Sequence, residues 1–235
     1  MIRAVLFDLD GTLLPMDLEV FIKTYLKHLA EYLAPHGFVP ETLIRAVWDG
    51  TFAMIGNDGT ATNEAVFWKK FTEVYGRDVT DSLPLFDEFY ETEFVRAKSV
   101  CGFDPAAAET IRLCKELGLT VVLATNPIFP RIATEQRIRW AGLSEQDFAH
   151  VTTYENSHFA KPTTAYYREI LETLALAPEE CLMVGNDVDD DMPAVKLGMK
   201  GFLLTNHLIN KHGVDIAQFQ NGDFSALHAY LKSIV

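Results

Sequence analysis

The chain is poor in basic residues and nearly devoid of cysteine. Of its 235 residues, 20 are Lys or Arg against 33 Asp or Glu, a formal net charge of -13. That balance argues against polyanion binding, because nucleic-acid recognition depends heavily on basic contacts to phosphates. The three cysteines, Cys101, Cys114 and Cys181, form no even disulfide set and no metal-like pair, so reduced thiols in a cytoplasmic protein are expected. The seven histidines are scattered without zinc-ligand spacing. No stretch is apolar for the roughly 20 residues that span a bilayer. The N-terminal segment reaches Asp8 too soon after Arg3 to form a signal-peptide apolar region, so no export signal is expected. No internal repeat or low-complexity tract stands out.

What is present is a series of apolar runs, each followed by polar residues. Strands are expected near residues 2–8, 119–125, 149–154, 181–186 and 200–205, with helices near 104–117, 130–141, 163–174, 191–197 and 224–234. Asp104 can cap the first of these helices, with Pro105 in its first turn and Gly118 at its end. Strands alternating with helices imply right-handed crossovers and a mainly parallel sheet. Residues 15–100 differ. Apolar stripes recur there at helical spacing: Phe21, Tyr25, Leu29 and Leu33; then Leu43, Val47 and Phe52; then Val66, Phe67, Phe71 and Val74; then Phe86, Phe89, Tyr90 and Phe94. The stretch 54–62, with Gly56, Asn57, Asp58 and Gly59, predicts a loop between two of these helices.

The first apolar run ends in Asp8-Leu9-Asp10-Gly11-Thr12. Two carboxylates so spaced, released from a buried strand into a Gly-Thr turn, suit phosphoryl transfer: one can attack phosphorus, the other can move protons, and both can help hold a divalent cation. Thr125-Asn126 closes the second run, Lys161-Pro162 follows the third, and Asn186, Asp187, Asp190 and Asp191 follow the fourth. In an open α/β sheet such strand ends converge on one crevice. Seen alone, Thr125 could be a helix cap and Lys161 an exposed lysine; their order behind the paired aspartates favours a shared site.

With these four motifs in order, the sequence resembles the haloacid dehalogenase-like hydrolase superfamily, in its phosphatase and phosphomutase branches, over residues 1–14 and about 101–204. The resemblance implies an α/β fold, a Rossmann-like mainly parallel sheet with helices on both faces. It further implies a catalytic core of residues 1–14 and 101–235 and a helical cap of residues 15–100 acting as a lid. It makes Asp8 the nucleophile and Asp10 the acid and base. Thr125 would bind the phosphoryl group, with Asn126 beside it, and Lys161 would supply positive charge. The implied cofactor is Mg²⁺, held by Asp8, the backbone carbonyl of Asp10, and Asp187.

The acidic segment departs from the family's usual Gly-Asp opening, which leaves two registers: Asn186 with Asp190, or Asp187 with Asp191. The second is favoured because a carboxylate is the better ligand for a hard dication, with Asp191 then capping the next helix while supporting Lys161 or metal-bound water. The expected activity is hydrolysis of a small phosphorylated metabolite through an aspartyl-phosphate. A phosphomutase, or a noncatalytic binding protein retaining the fold, would keep the same core residues. A true haloacid dehalogenase is disfavoured, since that branch typically lacks an Asp at the position of Asp10. Trp48 and Trp68 are candidates to touch substrate, and the sequence leaves the oligomeric state open.

Overall fold

The computed structural model describes residues 1–235. Six strands form one all-parallel sheet: β1 (Ala4–Phe7), β2 (Thr120–Leu123), β3 (His150–Val151), β4 (Cys181–Gly185), β5 (Lys200–Leu204) and β6 (Gln220–Gly222). Their order is β3-β2-β1-β4-β5-β6. β1 is therefore central, pairing Val5 with Val121 on one side and with Leu182 on the other. The chain winds outward from β1 first through β2 and β3, then in the opposite direction through β4, β5 and β6. A crevice must open at the carboxyl end of β1, where the winding reverses.

Because successive side chains of a strand face opposite ways, β1 feeds two cores. Val5 and Phe7 join Val121, Leu123 and Val184 in a large cluster. It is closed over the sheet by α5 (Pro105–Glu116), α6 (Arg131–Trp140) and α8 (Phe224–Ile234). Ala4 and Leu6 join Val122 and Met183 in a second cluster, beneath α7 (Thr164–Thr173). Burial on both faces explains why these strands are apolar throughout rather than alternating.

Two expected elements differ in detail, and one strand is additional. The run near 149–154 contributes only two strand residues; beyond Val151 the chain turns, with Asn156 accepting from the Thr153 amide and donating to the Val151 carbonyl. The segment 192–197 is a 3₁₀ helix with Pro193 in its first turn. The edge strand β6, Gln-Asn-Gly, lacks the apolar run by which strands are recognised, and was not expected.

Between β1 and α5 the chain is helical throughout: α1 (Leu18–Leu33), α2 (Pro40–Ile55), α3 (Asn63–Tyr75), α4 (Leu83–Thr92) and a 3₁₀ stretch over Phe94–Val100. Asp17 caps α1 and Thr62 caps α3, each accepting from the first-turn amides. The expected stripe of α1 is buried at Phe21, Tyr25, Leu29 and Leu33. On α2, Leu43 and Val47 are buried but Phe52 is 60% exposed, stacked on Trp48 at the surface. The entry and return of this helical segment meet at one point: Met16 bridges Cys101, and the Gly102 amide donates to the Pro15 carbonyl at 2.7 Å. No helix is long and apolar enough to cross a membrane.

Asn63, at the start of α3, is fully buried and joins this segment to loops of the sheet. Its amide group donates to the carbonyls of Pro127 (3.2 Å) and Phe159 (3.1 Å), while its oxygen accepts from Asn57 at 2.8 Å. Asn63→Ala leaves those carbonyls without their donor in a site closed to water. Removing it should cost about 1–3 kcal/mol of stability, read as a lowered urea midpoint.

Candidate active site

Asp8 follows the last residue of β1, and its backbone amide still donates to the Val184 carbonyl at 2.9 Å, so the sheet itself sets its position. Its carboxylate is nearly buried and held at both oxygens, by Lys161 Nζ at 2.8 Å and by Thr12 Oγ1 at 3.1 Å. The chain then turns sharply at Gly11, whose φ of +84° is costly for any residue with a Cβ. A Cβ there would also lie 2.5 Å from Asn186 Nδ2. Glycine is thus needed both for the turn and for the close approach of the acidic segment.

Lys161 is buried and also donates to Asp191 Oδ1 at 2.7 Å. Burial disfavours the ammonium, but the Asp191 and Asp8 carboxylates outweigh it and hold the Lys161 pKa well above its ordinary value. Burial pushes the Asp191 carboxyl up to about 7, against the pull of Lys161. The other oxygen of Asp191 accepts from the Asp187 amide at 2.9 Å. Asp191 therefore supports Lys161 as one expectation had it, and makes no side-chain cap on the following 3₁₀ turn. Gly185 makes room for this: a Cβ on it would sit 2.0 Å from the Asp191 carboxylate.

One cavity of about 90 Å³ gathers Asp8, Asp10, Thr125, Asn126, Asn186, Asp187, Asp190 and Asp191 along its walls. Lys161 reaches the same place from behind, through Asp8. Asn126 has a second connection, since its side-chain oxygen accepts from the Lys161 backbone amide at 3.2 Å. The two registers of the acidic segment are distinguishable by their bonding. Asn186 is buried and spent, accepting from Thr12 at 2.9 Å and donating to the His207 carbonyl at 2.7 Å. Asp187 is half-buried; one of its oxygens accepts from the amides of Asp189 and Asp190, which leaves the other unused. Asp190 also lines the cavity, and burial raises its pKa.

Arg137 is a site residue that the motifs did not reveal. It lies fully buried on α6, donates to the Asp10 carboxylate and to Thr134 Oγ1 (3.2 Å), and stacks over the Phe129 ring at 4.4 Å. Burial raises the Asp10 pKa, with Arg137 pulling the other way and Asp8 adding to the rise. Asp10 Oδ1 is buried without any partner. Two buried tyrosines of α7 were also unforeseen. Tyr166 donates to the Thr125 carbonyl at 2.8 Å and Tyr167 to the Asp190 carbonyl at 2.6 Å, tying two of the cavity's loops to one helix.

The loop at 56–59 joins α2 to α3 as expected, and none of its residues lines the cavity beside Asp8. Gly59 packs against the Phe159 ring, and Asn57 uses its side chain on Ala61, Gly59 and Asn63. Leu18 and Ile22 of α1 are the residues of the helical segment that reach the cavity beside Asp8.

A family model described as haloacid dehalogenase-like hydrolase matches residues 2–198. The chain is 29% identical over 202 residues to Pyrophosphatase PpaX of Bacillus cereus (strain G9842), covering 85% of this chain and 81% of the relative. Its fold is similar to that of a HAD phosphatase from Thermococcus onnurineus, with a TM-score of 0.61, 18% identity and 98% of each chain covered. It is similar also to a 2-haloacid dehalogenase from Pseudomonas syringae pv. Tomato DC3000, with a TM-score of 0.66, 21% identity and all of both chains covered.

Arg137→Met should remove the cation from a buried pair and leave Asp10 facing an apolar side chain. A loss of about 3–5 kcal/mol in unfolding free energy is expected, measured by urea denaturation beside a surface control such as Arg139→Met.

Proposed function

The chain belongs to the haloacid dehalogenase-like hydrolase family, and we propose that it is a Mg²⁺-dependent phosphatase acting on a small phosphomonoester. The observation that carries this reading is the placement of Asp8, Asp10, Thr125 and Asp187 around one cavity, with Lys161 bonded to Asp8. Asp10 favours phosphate over halide chemistry, because an alkoxide leaving group needs a proton donor and a halide does not.

In the first step an oxygen of Asp8 attacks phosphorus in line, the ester P–O bond breaks, and the departing oxygen takes a proton from Asp10. A carboxyl whose pKa is raised by burial is suited to that donation. In the second step Asp10 takes a proton from water, whose oxygen attacks the aspartyl-phosphate; inorganic phosphate leaves and Asp8 is restored. Lys161 offsets charge at Asp8 throughout, and Thr125 offers its hydroxyl to a phosphoryl oxygen. Arg137 keeps Asp10 aimed at the cavity between the two steps. In this reading residues 1–14 and 101–235 perform the transfer, and residues 15–100 select the substrate through α1 and α2 rather than through the loop at 56–59.

The oxygen donors suit a hard dication: Asp187, with one oxygen free of hydrogen bonds, and Asp8 line the same cavity as Asp10. Among the described residues no three His, Cys, Asp or Glu side chains converge on a metal position; the implied ligand set needs only two, Asp8 and Asp187, with the Asp10 backbone carbonyl as third. When bound there, Mg²⁺ would neutralise charge between the phosphate and the carboxylates.

Asp8→Asn is expected to abolish phosphate release with an unchanged circular dichroism spectrum; undiminished turnover by the purified variant would refute the mechanism. Asp10→Asn should slow alkyl esters by about 10²- to 10⁴-fold and para-nitrophenyl phosphate less, because an activated leaving group needs less protonation. Chelator should remove activity and Mg²⁺ restore it. A Mg²⁺ titration should show a larger rise in the half-saturating concentration for Asp187→Ala than for Asn186→Ala; the reverse order would assign the ligand to Asn186.

A further inference from the structure

Beside the catalytic cavity lies a second one of about 60 Å³, and Ile22, Ile128 and Phe129 form walls of both. A phosphoryl group at Asp8 would therefore have its ester substituent directed toward this neighbour. No charged side chain lines the second space. Val47, Trp48 and Thr51 of α2 and Phe67 and Trp68 of α3 face Tyr154 and Pro130 of the sheet loops across it.

Three of the polar groups on these walls are engaged by hydrogen bonds of their own. The Tyr25 and Tyr90 hydroxyls bond each other at 2.9 Å. Thr51 donates to the Val47 carbonyl of its own helix at 2.9 Å. The walls are also stiff, since Trp68 meets both Phe67 and Phe86 edge-on at ring-centre separations of 5.0 Å. A carboxylated substituent placed here would lose water and meet no cation, and a polyhydroxylated one would face mostly hydrocarbon, whereas a hydrocarbon would gain from leaving water.

Resting on the phosphatase reading above, we propose that the preferred substrate is the phosphomonoester of a short, uncharged hydrocarbon alcohol. A space of only about 60 Å³ suits a short substituent, linear or branched. Sugar phosphates and phosphorylated hydroxy acids are disfavoured by the same walls. Trp48 and Trp68, both on this lining, become specificity residues; Trp48, 37% exposed, stands where the space meets solvent.

The test compares kcat/KM of the full chain with Mg²⁺ on butyl phosphate, glycerol 3-phosphate and 3-phosphoglycerate, with para-nitrophenyl phosphate as a generic ester. Butyl phosphate is expected to exceed glycerol 3-phosphate by at least about tenfold, and 3-phosphoglycerate to rank last. Release of phosphate from all of them with the glycerol or carboxylated ester preferred would overturn the hydrocarbon proposal and leave the phosphatase reading standing. No release from any ester, para-nitrophenyl phosphate included, would overturn both. Thr51→Asp, which sets a carboxylate in the apolar wall, should bring the butyl-to-glycerol ratio close to unity. An unchanged ratio in that variant, once folded by circular dichroism, would place the substituent elsewhere.

Discussion

A buried ammonium shared by two carboxylates is the constraint on which the site depends. Lys161 is all but sealed from water, and an unpaired charge in that position would be prohibitive. Its partners come from different parts of the sheet, Asp8 from the end of β1 and Asp191 from beyond β4, so the pair can form only if β1 and β4 are in register. The glycines follow from the same demand. Gly185 lets Asp191 fold back onto the lysine, and Gly11 lets the acidic segment approach the turn after Asp8. What looks like a catalytic motif is equally a packing solution for three charges at the mouth of a hydrophobic sheet.

Around that centre, precision is supplied by groups with no chemical step of their own. Tyr166 and Tyr167 are adjacent on α7, yet reach different loops, one carrying Thr125 and one carrying Asp190. Ile209 adds a strap, accepting from the Val188 amide and donating to the Asn186 carbonyl. These contacts are hydrogen bonds to backbone atoms in dry surroundings, where an unmet carbonyl is costly and a met one fixes geometry. The helical segment contributes the opposite chemistry, an aromatic lattice whose ordering rests on shape.

Much of the fold was readable because the central strands are buried on both faces, and burial on both faces writes an uninterrupted apolar run into the sequence. β1, β2, β4 and β5 are legible for that reason. β6 is not, since a polar edge strand of Gln220, Asn221 and Gly222 is held by backbone pairing to β5 alone. Asp8, Asp10, Thr125 and Lys161 were visible as an ordered set. Arg137 was hidden among the other charges of α6, although one signal was available: it falls four residues after buried Ala133 and three before Trp140, on the core-facing side of its helix. An arginine on such a face needs a counter-ion, and the fold supplies it as Asp10, far away in sequence. Phe52 misled in the reverse direction, because helical spacing from Val47 is only approximate and its ring ends outside. The loop at 56–59 was legible as a turn between two helices, but glycine and asparagine do not say that it leans on Phe159 and Asn63.

The meeting of Met16 and Cys101 has a consequence for how such a chain can change over generations. A segment that leaves and returns through adjacent residues is, to the sheet, a long excursion with no net displacement. Its length, helix count and wall chemistry can drift, or be exchanged wholesale, while β1 and α5 remain joined as before. Natural selection can thus redraft the reception room of this enzyme without touching the furnace, and lineages built on one sheet are free to diverge in diet while agreeing in method.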